Sequence, residues 1–300
     1  MNAPQTQLGF GASGAWGRKW FSKREAIRLI HQALDHGVRH FDSAGFYGAG
    51  EAETRLGEAL RGRDDVFISI KGGTRNGHVG RKIKDFSNAA LREDLHASLK
   101  RLKREHVDTF YLHGPGFKEV HESEELMLEL KQKGLINRAG VCGAGQNLGR
   151  SVDEDKTDAI MAIYNLFDHK HAEIFKKARE KNITVTAIAP LSQGFYRPGF
   201  LLPKTKADIW TITRFLVRDI KRTRSLPKPV LERLGQFEGF SAAQMMLAFV
   251  MEQDFIDVAM TTSTKPANLD ESLAIAHSLP PQEMRSELKE IADNYSQIRS

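Results

Sequence analysis

Residues 22–43 read SKREAIRLIHQALDHGVRHFDS, one helix followed within a few residues by one strand. Ser22 with Glu25 three residues later forms a capping box, and Ala26, Ile27, Ile30, Ala33 and Leu34 repeat on one helical face. Gly37 stands where a helix commonly ends in a left-handed residue, and Arg39–Ser43 is then short and bounded, as a strand is.

That alternation extends along the chain. Strand-like runs fall at Gln7–Gly11, Arg39–Ser43, Val66–Lys71, Val107–His113, Arg138–Cys142, Ile160–Asn165, Thr184–Pro190 and Asp257–Thr262. Between them, Ser87 caps a helix carrying Leu91, Leu95, Leu99 and Leu102, and Ser241-Ala-Ala-Gln244 is a second capping box that opens the Met245–Met251 helix. Strand–helix units in series pair in parallel through right-handed crossovers, and eight of them close into a (β/α)8 TIM barrel. The rival is an open, doubly wound sheet, which needs a glycine-rich phosphate turn running directly into a helix. Gly9-x-Gly11-x-x-Gly14 has the letters, but the next helix begins at Ser22, too far on for its N-terminus to meet a phosphate. The expectation is therefore an α/β fold, one domain over residues 1–300, with a long insertion at 191–240 after the seventh strand. Helical pieces are expected there around Asp208–Arg224 and Pro229–Leu234.

Composition removes several function classes. With 300 residues, a net charge of +6 and 40% apolar residues, the chain can bury a large core. The longest apolar run, Met245–Met251, falls well short of the ~18 residues of a membrane span. The first ten residues lack the regions of a signal peptide, and the lone Cys142 allows no internal disulfide; a cytoplasmic protein is expected. Cys142 has no evident partner base and reads as a small buried hydrophobe. No histidine spacing reads as a metal site. The basic run from Arg214 to Arg233 has only Phe215 among its charges, so it reads as a solvated face with no nucleic-acid partner.

Chemistry on a barrel collects where strands end. Those ends carry Asp42, Lys71, His113, Cys142, Asn165, Pro190 and Thr262, with Tyr47 five residues past Asp42. Charged groups closing buried strands need partners. An ammonium beside a phenol favours the phenolate and makes the phenol a usable acid, a carboxylate holds the ammonium, and a histidine can orient a carbonyl oxygen. A site that protonates an oxygen in this way, with no side chain able to deliver hydride, implies a nicotinamide cofactor. Among nearby aromatic residues, Trp16 and Phe46 are the candidate substrate-pocket walls, with Trp20, Phe195, Tyr196 and Trp210 further along the same face.

The segment His36-Gly-Val-Arg-His-Phe-Asp-Ser-Ala-Gly-Phe-Tyr47, followed by Gly48, Glu51 and Leu56-Gly-Glu-Ala-Leu60, closely resembles the aldo-keto reductase signature. Ile70-Lys71-Gly72, Tyr111-Leu-His113-Gly-Pro115, Gly140-Val141, Tyr164-Asn165-Leu166 and Ala189-Pro-Leu-Ser-Gln-Gly194 follow in family order, from about Leu8 to about Ala276. The resemblance implies Tyr47 as general acid, Lys71 and Asp42 as its tuning pair, and His113 as the carbonyl-orienting residue. It implies cofactor contacts from Cys142, Gly143 and Met161 at the nicotinamide. Pro190, Leu191, Ser192, Gln193 and Gly194 would follow the seventh strand, and Ser263, Thr264, Lys265, Asn268 and Glu271 would lie at the adenosine phosphate. The chain departs from the family at the nicotinamide, where Cys142-Gly143 replaces Ser-Asn, Met161 replaces Gln, and Ile188 replaces a stacking aromatic. Asn268 stands where NADPH-preferring relatives carry Arg, with Lys265 able to compensate, so NADP(H) is expected over NAD(H). The implied activity interconverts a small-molecule carbonyl and its alcohol. The alternative is a nucleotide-binding regulatory barrel, as potassium-channel β-subunits of this family are.

Overall fold

The helix and strand of residues 22–43 are both present, and the unit they form is repeated around a closed ring. The computed structural model describes residues 7–77, 82–194, 201–203, 205–214, 216 and 228–299. Its first half runs β1 (Gln7–Gly11), α1 (Lys23–Asp35), β2 (His40–Asp42), α2 (Glu51–Ala59), β3 (Phe67–Gly72), β4 (Thr74–Asn76), β5 (Lys82–Lys84), α3 (Asn88–Leu102), β6 (Val107–His113), α4 (Phe117–Glu122) and α5 (Glu124–Gln132). The second half runs β7 (Ile136–Cys142), α6 (Gly145–Asp153), β8 (Ala159–Ile163), α7 (Ala172–Glu180), β9 (Thr184–Ile188), α8 (Lys206–Arg214), α9 (Lys228–Leu234), α10 (Ala242–Met251), β10 (Val258–Thr261), α11 (Pro266–Ala274) and α12 (Gln282–Arg299). Strands β1, β10, β9, β8, β7, β6, β3 and β2 close, in that order, into a (β/α)8 barrel, so the open-sheet alternative falls.

Local chemistry explains the elements. The Ser22 hydroxyl accepts the Glu25 amide at 3.1 Å and starts α1. The helix buries Ala26, Leu29, Ile30, Ala33 and Leu34; Leu29 takes the inward place and Ile27 is only half-buried. Both halves of the Ser241–Gln244 capping box form, and Met245 and Met246 are fully buried, as an all-apolar helix against a barrel requires.

Two elements had no counterpart in the sequence reading. A turn of 3-10 helix covers Gly14–Gly17, and an antiparallel hairpin, β4–β5, stands outside the barrel directly after β3. The insertion after β9 opens with a 3-10 turn at Ser192–Gly194. Its first expected piece forms as α8, with residues 217–224 outside the described residues, and its second as α9. Of the basic run, Arg233 is paired with Glu287 and stacked 4.7 Å from the Phe237 ring. Phe195, Tyr196 and residues 217–227 lie outside the described residues. Among the described residues no helix is long and apolar enough to cross a membrane.

Parallel register decides what meets at the barrel mouth. Asp42 lies opposite Ser69, Lys71 opposite Tyr111, and His113 opposite Cys142, which in turn faces Met161. The same ends of neighbouring strands therefore present a carboxylate, an ammonium and an imidazole together.

Candidate active site

Asp42 and Lys71 form a buried ion pair, their side chains 6% and 3% exposed. The Ser69 hydroxyl donates to the other carboxylate oxygen at 2.7 Å, and the Lys71 ammonium also reaches the Ser43 carbonyl at 3.3 Å. Burial works against the Lys71 charge, but the Asp42 carboxylate, with smaller interactions from Tyr47 and Cys142, outweighs it and holds the ammonium above its ordinary range.

The Tyr47 ring sits over this pair. Its centroid is 5.7 Å from the Lys71 ammonium and 6.1 Å from the His113 ring, at an interplanar angle of 76°. Tyr47 is on the loop after β2, and that loop is held by close packing. A Cβ added at Gly17 would come within 2.5 Å of Gly48 Cα, and Gly48 itself adopts a φ of +63°, so only glycine fits either position. Arg55 of α2 donates to the Trp16 carbonyl at 2.7 Å and ties the two loops together. Beneath α2, the fully buried Glu53 accepts from Ser98 at 2.9 Å and Arg101 at 2.6 Å, fixing α2 against α3.

His113 donates nothing through Nδ1, which is buried without a partner. Burial first, then the ammoniums of Lys71, Lys82 and Lys84, push its imidazole down to about 3. It is therefore neutral at ordinary pH. Since its value lies below the ~6.5 of an unfolded chain, the unfolded state takes up the proton first. Its contribution to stability is intact above about pH 6.5 and is lost as the pH falls toward 3. Chemical denaturation at a series of pH values is expected to show this acid loss, shallower in His113→Gln; identical slopes would mean His113 does not carry it.

Phe46 lies where a pocket wall was expected, 6.1 Å from both the Tyr47 and His113 rings. Trp16 does not. It is 1% exposed, edge-on to Phe10 at 4.9 Å and to Phe21 at 5.2 Å, so its ring is core packing and the pocket-wall reading is corrected. Trp210 of α8 faces Arg18 at 5.6 Å, and Trp20 packs at the core edge.

The expected cofactor residues fall into two places. Cys142 and Met161 are buried with Tyr111 and Ala159 in a small cluster closed by Ile188. Burial pushes the Cys142 thiol up to about 11, which removes it as a nucleophile and leaves it as packing. Gly143 donates its amide to the Met161 carbonyl at 3.0 Å.

Past β9, the turn from Pro190 through Leu191, Ser192 and Gln193 to Gly194 is strained: Ala189 and Ser192 hold φ values of 55° and 43°. Non-glycine residues held in that region recur at active sites and ligand clamps, and here the Ser192 and Gly194 amides close the turn on the Ala189 carbonyl at 3.0 Å and the Leu191 carbonyl at 2.8 Å. The Ser192 hydroxyl and the Thr261 hydroxyl at the end of β10 are buried without partners. Beyond them, Ser263 braces the Lys265 amide at 3.1 Å, and α11 starts with Pro266 and no side-chain cap. Asn268 and Glu271 lie on that helix, Glu271 half-buried. Lys265 itself is paired with Asp208 of α8 at 2.8 Å.

Ser69, Glu53, Arg55 and the β4–β5 hairpin were not singled out from sequence. Ser69 had a signal: two residues before Lys71, it shares that residue's face of the strand.

Comparisons with known proteins agree with this fold. The pattern of the aldo/keto reductase family matches residues 7–293. An uncharacterised oxidoreductase of Bacillus subtilis (strain 168), YqkF, is 30% identical over 177 residues, 57% of this chain and 58% of that protein. A protein of Arabidopsis thaliana named "Probable voltage-gated potassium channel subunit beta" is 28% identical over 298 residues, 91% of this chain and 88% of its own. The crystal structure of an aldo/keto reductase from Klebsiella pneumoniae in complex with NADP and acetate superposes with a TM-score of 0.69 at 22% identity, covering 95% of this chain and 90% of that one. With the family pattern spanning almost every strand and helix, and the barrel closed as that family closes it, this chain belongs to the aldo/keto reductase family.

Proposed function

We propose that the protein is an NAD(P)H-dependent oxidoreductase that interconverts a carbonyl and an alcohol, with Tyr47 as the proton donor. The observation that carries this reading is the buried Asp42–Lys71 pair set beneath the Tyr47 ring and beside a neutral His113. A buried ammonium costs folding free energy unless it is paired, and pairing it directly under a phenol makes that phenol a better acid. Tyr47 gives its proton to the substrate oxygen. Lys71 stabilises the phenolate left behind, Asp42, itself held by the Ser69 hydroxyl, keeps Lys71 in place, and His113, as a neutral ring, orients the oxygen without competing for the proton.

When bound, a nicotinamide cofactor supplies the hydride. The fit of this chain to such a group differs along its length. The Ala189–Gly194 turn, the unpartnered Ser192 hydroxyl, and the positive end of α11 with Lys265 beside it suit its phosphates. Lys265, once released from Asp208, is the charge that favours NADP(H) over NAD(H). Asn268 supplies an amide where a guanidinium would grip a phosphate more strongly. A panel of aldehydes and ketones with NADPH and with NADH, followed at the reduced-nicotinamide band, tests the reading; oxidation that depends on a carbonyl supports it, and none with any substrate refutes it.

The nicotinamide end fits less well. Cys142, Gly143 and Met161 offer a weak thiol donor, no side chain and a thioether where an amide needs hydrogen bonds. This favours, as a second reading, a regulatory barrel that binds nucleotide with little turnover. Gly143 has room for a side chain, since a Cβ there meets only Val141 at 3.8 Å. Cys142→Ser with Gly143→Asn is expected to tighten cofactor binding or speed hydride transfer, each hydrogen bond being worth about 0.5–1.5 kcal/mol. Cofactor titration and single-turnover rates measure it; if both stay flat, the ring is held by other groups. Adding Met161→Gln extends the gain only if the amide finds a partner beside Tyr111 and Ile188.

A further inference from the structure

The β4–β5 hairpin is the one described strand pair outside the barrel, and its side chains are divided between two faces. Thr74 pairs with Lys84, and Asn76 with Lys82. Alternation along a strand puts these four side chains on one face and those of Arg75 and Ile83 on the other. The first face is laid on the catalytic loops. Thr74 donates to the His113 carbonyl at 2.7 Å, Asn76 to the Phe46 carbonyl at 2.8 Å, and Lys84 to the Gly114 carbonyl at 2.6 Å. The Lys82 ammonium stands 5.0 Å from the Phe46 ring, and that ring touches both Tyr47 and His113.

Of the acidic groups near the hairpin, Asp85, next to Lys84, accepts the Ser87 amide at 3.0 Å. Glu93 and Asp94 of α3 pair with Arg75 on the hairpin's other face, and Asp42 is taken up by Lys71. Lys82 and Lys84 are both exposed, and their charge is felt at His113, whose imidazole they help push down. A positive field at the mouth of the site attracts an anion and gives a neutral ligand no advantage.

We propose that the hairpin selects carbonyl substrates that carry a negative charge, a carboxylate or phosphate drawn to Lys82 and Lys84 while the carbonyl lies at Tyr47 and His113. The inference rests on the reductase reading for the place of the carbonyl. Phe46, between the lysines and the acid, gives the apolar part of such a substrate a surface to lie along.

Three probes with the same ring separate charge from shape: 4-carboxybenzaldehyde, 4-formylphenyl phosphate and the neutral methyl 4-formylbenzoate. The quantity read is the charged-to-neutral ratio of kcat/KM within each variant, which cancels a general loss of activity. The ratio is expected to fall about threefold in Lys82→Met or Lys84→Met and about tenfold in the double variant, chiefly through KM, and to fall with added salt. Which charged probe loses more identifies carboxylate or phosphate as the preferred group. A ratio unchanged in the double variant would overturn the proposal and leave the lysines as clamps on the loops. If no probe is reduced, the ester included, the reductase reading fails. Calorimetric binding of 4-carboxybenzaldehyde against its ester then still judges the charge selection: stronger binding of the acid, lost in the double variant, supports it, and equal affinities overturn it.

Discussion

Turnover falls by about 10²–10⁴-fold in Tyr47→Phe while cofactor affinity stays close to that of the unaltered protein, the size of effect that a positioned general acid has. The substitution removes one oxygen and keeps the ring that packs against Phe46 and His113. The glycine contact that holds the loop, Gly17 against Gly48, involves no part of the phenol. The loss therefore reports proton transfer and not a moved loop. It is read from kcat and kcat/KM together: both fall by the same factor when the missing interaction exists only in the transition state. A variant with unchanged turnover would remove Tyr47 from the mechanism.

Lys71→Met has two effects of comparable size. The phenol loses the ammonium that favours its ionised form, so turnover drops and the pH dependence of kcat/KM moves upward toward the ~10 of an ordinary phenol. The Asp42 carboxylate, 6% exposed, also loses its ion-pair partner, and stranding a buried charge costs about 3–5 kcal/mol of stability. The double variant Asp42→Asn with Lys71→Met separates the two. Without a charge to strand, it recovers stability in denaturant titrations, and the Ser69 hydroxyl can still donate to the amide oxygen introduced in place of the carboxylate. Its turnover does not recover. A Lys71→Met protein with normal stability and a normal pH profile would show that the pair is neither buried as described nor coupled to Tyr47.

The barrel was legible because its signal repeats. Each strand is a short apolar run alternating with an amphipathic helix, and a mistake of one or two residues at an end, as at Arg39–Ser43 against β2, changes nothing in the topology. The site was legible because Asp, Lys and His cannot end buried strands without a common purpose, and the register brings them together. The hairpin was not legible. Thr74–Asn76 and Lys82–Lys84 are three residues each, mostly polar, with no apolar period to mark them. Trp16 was misread for a related reason: proximity in sequence to a strand end says nothing about which way a ring points, and this one turns into the core against Phe10 and Phe21. Ser69 and Glu53 act through partners distant in sequence, Asp42 and Arg101, which only the closed barrel brings near.

Passage of hydride to a carbonyl, beyond the binding of nucleotide, is read directly in one transient measurement. Protein preloaded with NADPH is mixed in a stopped-flow instrument with excess 4-nitrobenzaldehyde, and the reduced-nicotinamide absorbance is followed through a single turnover. The account predicts a full exponential loss of absorbance in the unaltered protein and a decay about 10²–10⁴-fold slower in Tyr47→Phe. NADPH that binds but keeps its absorbance in the presence of the aldehyde would contradict it, and would leave a regulatory barrel in which Asp42, Tyr47, Lys71 and His113 are a structural set.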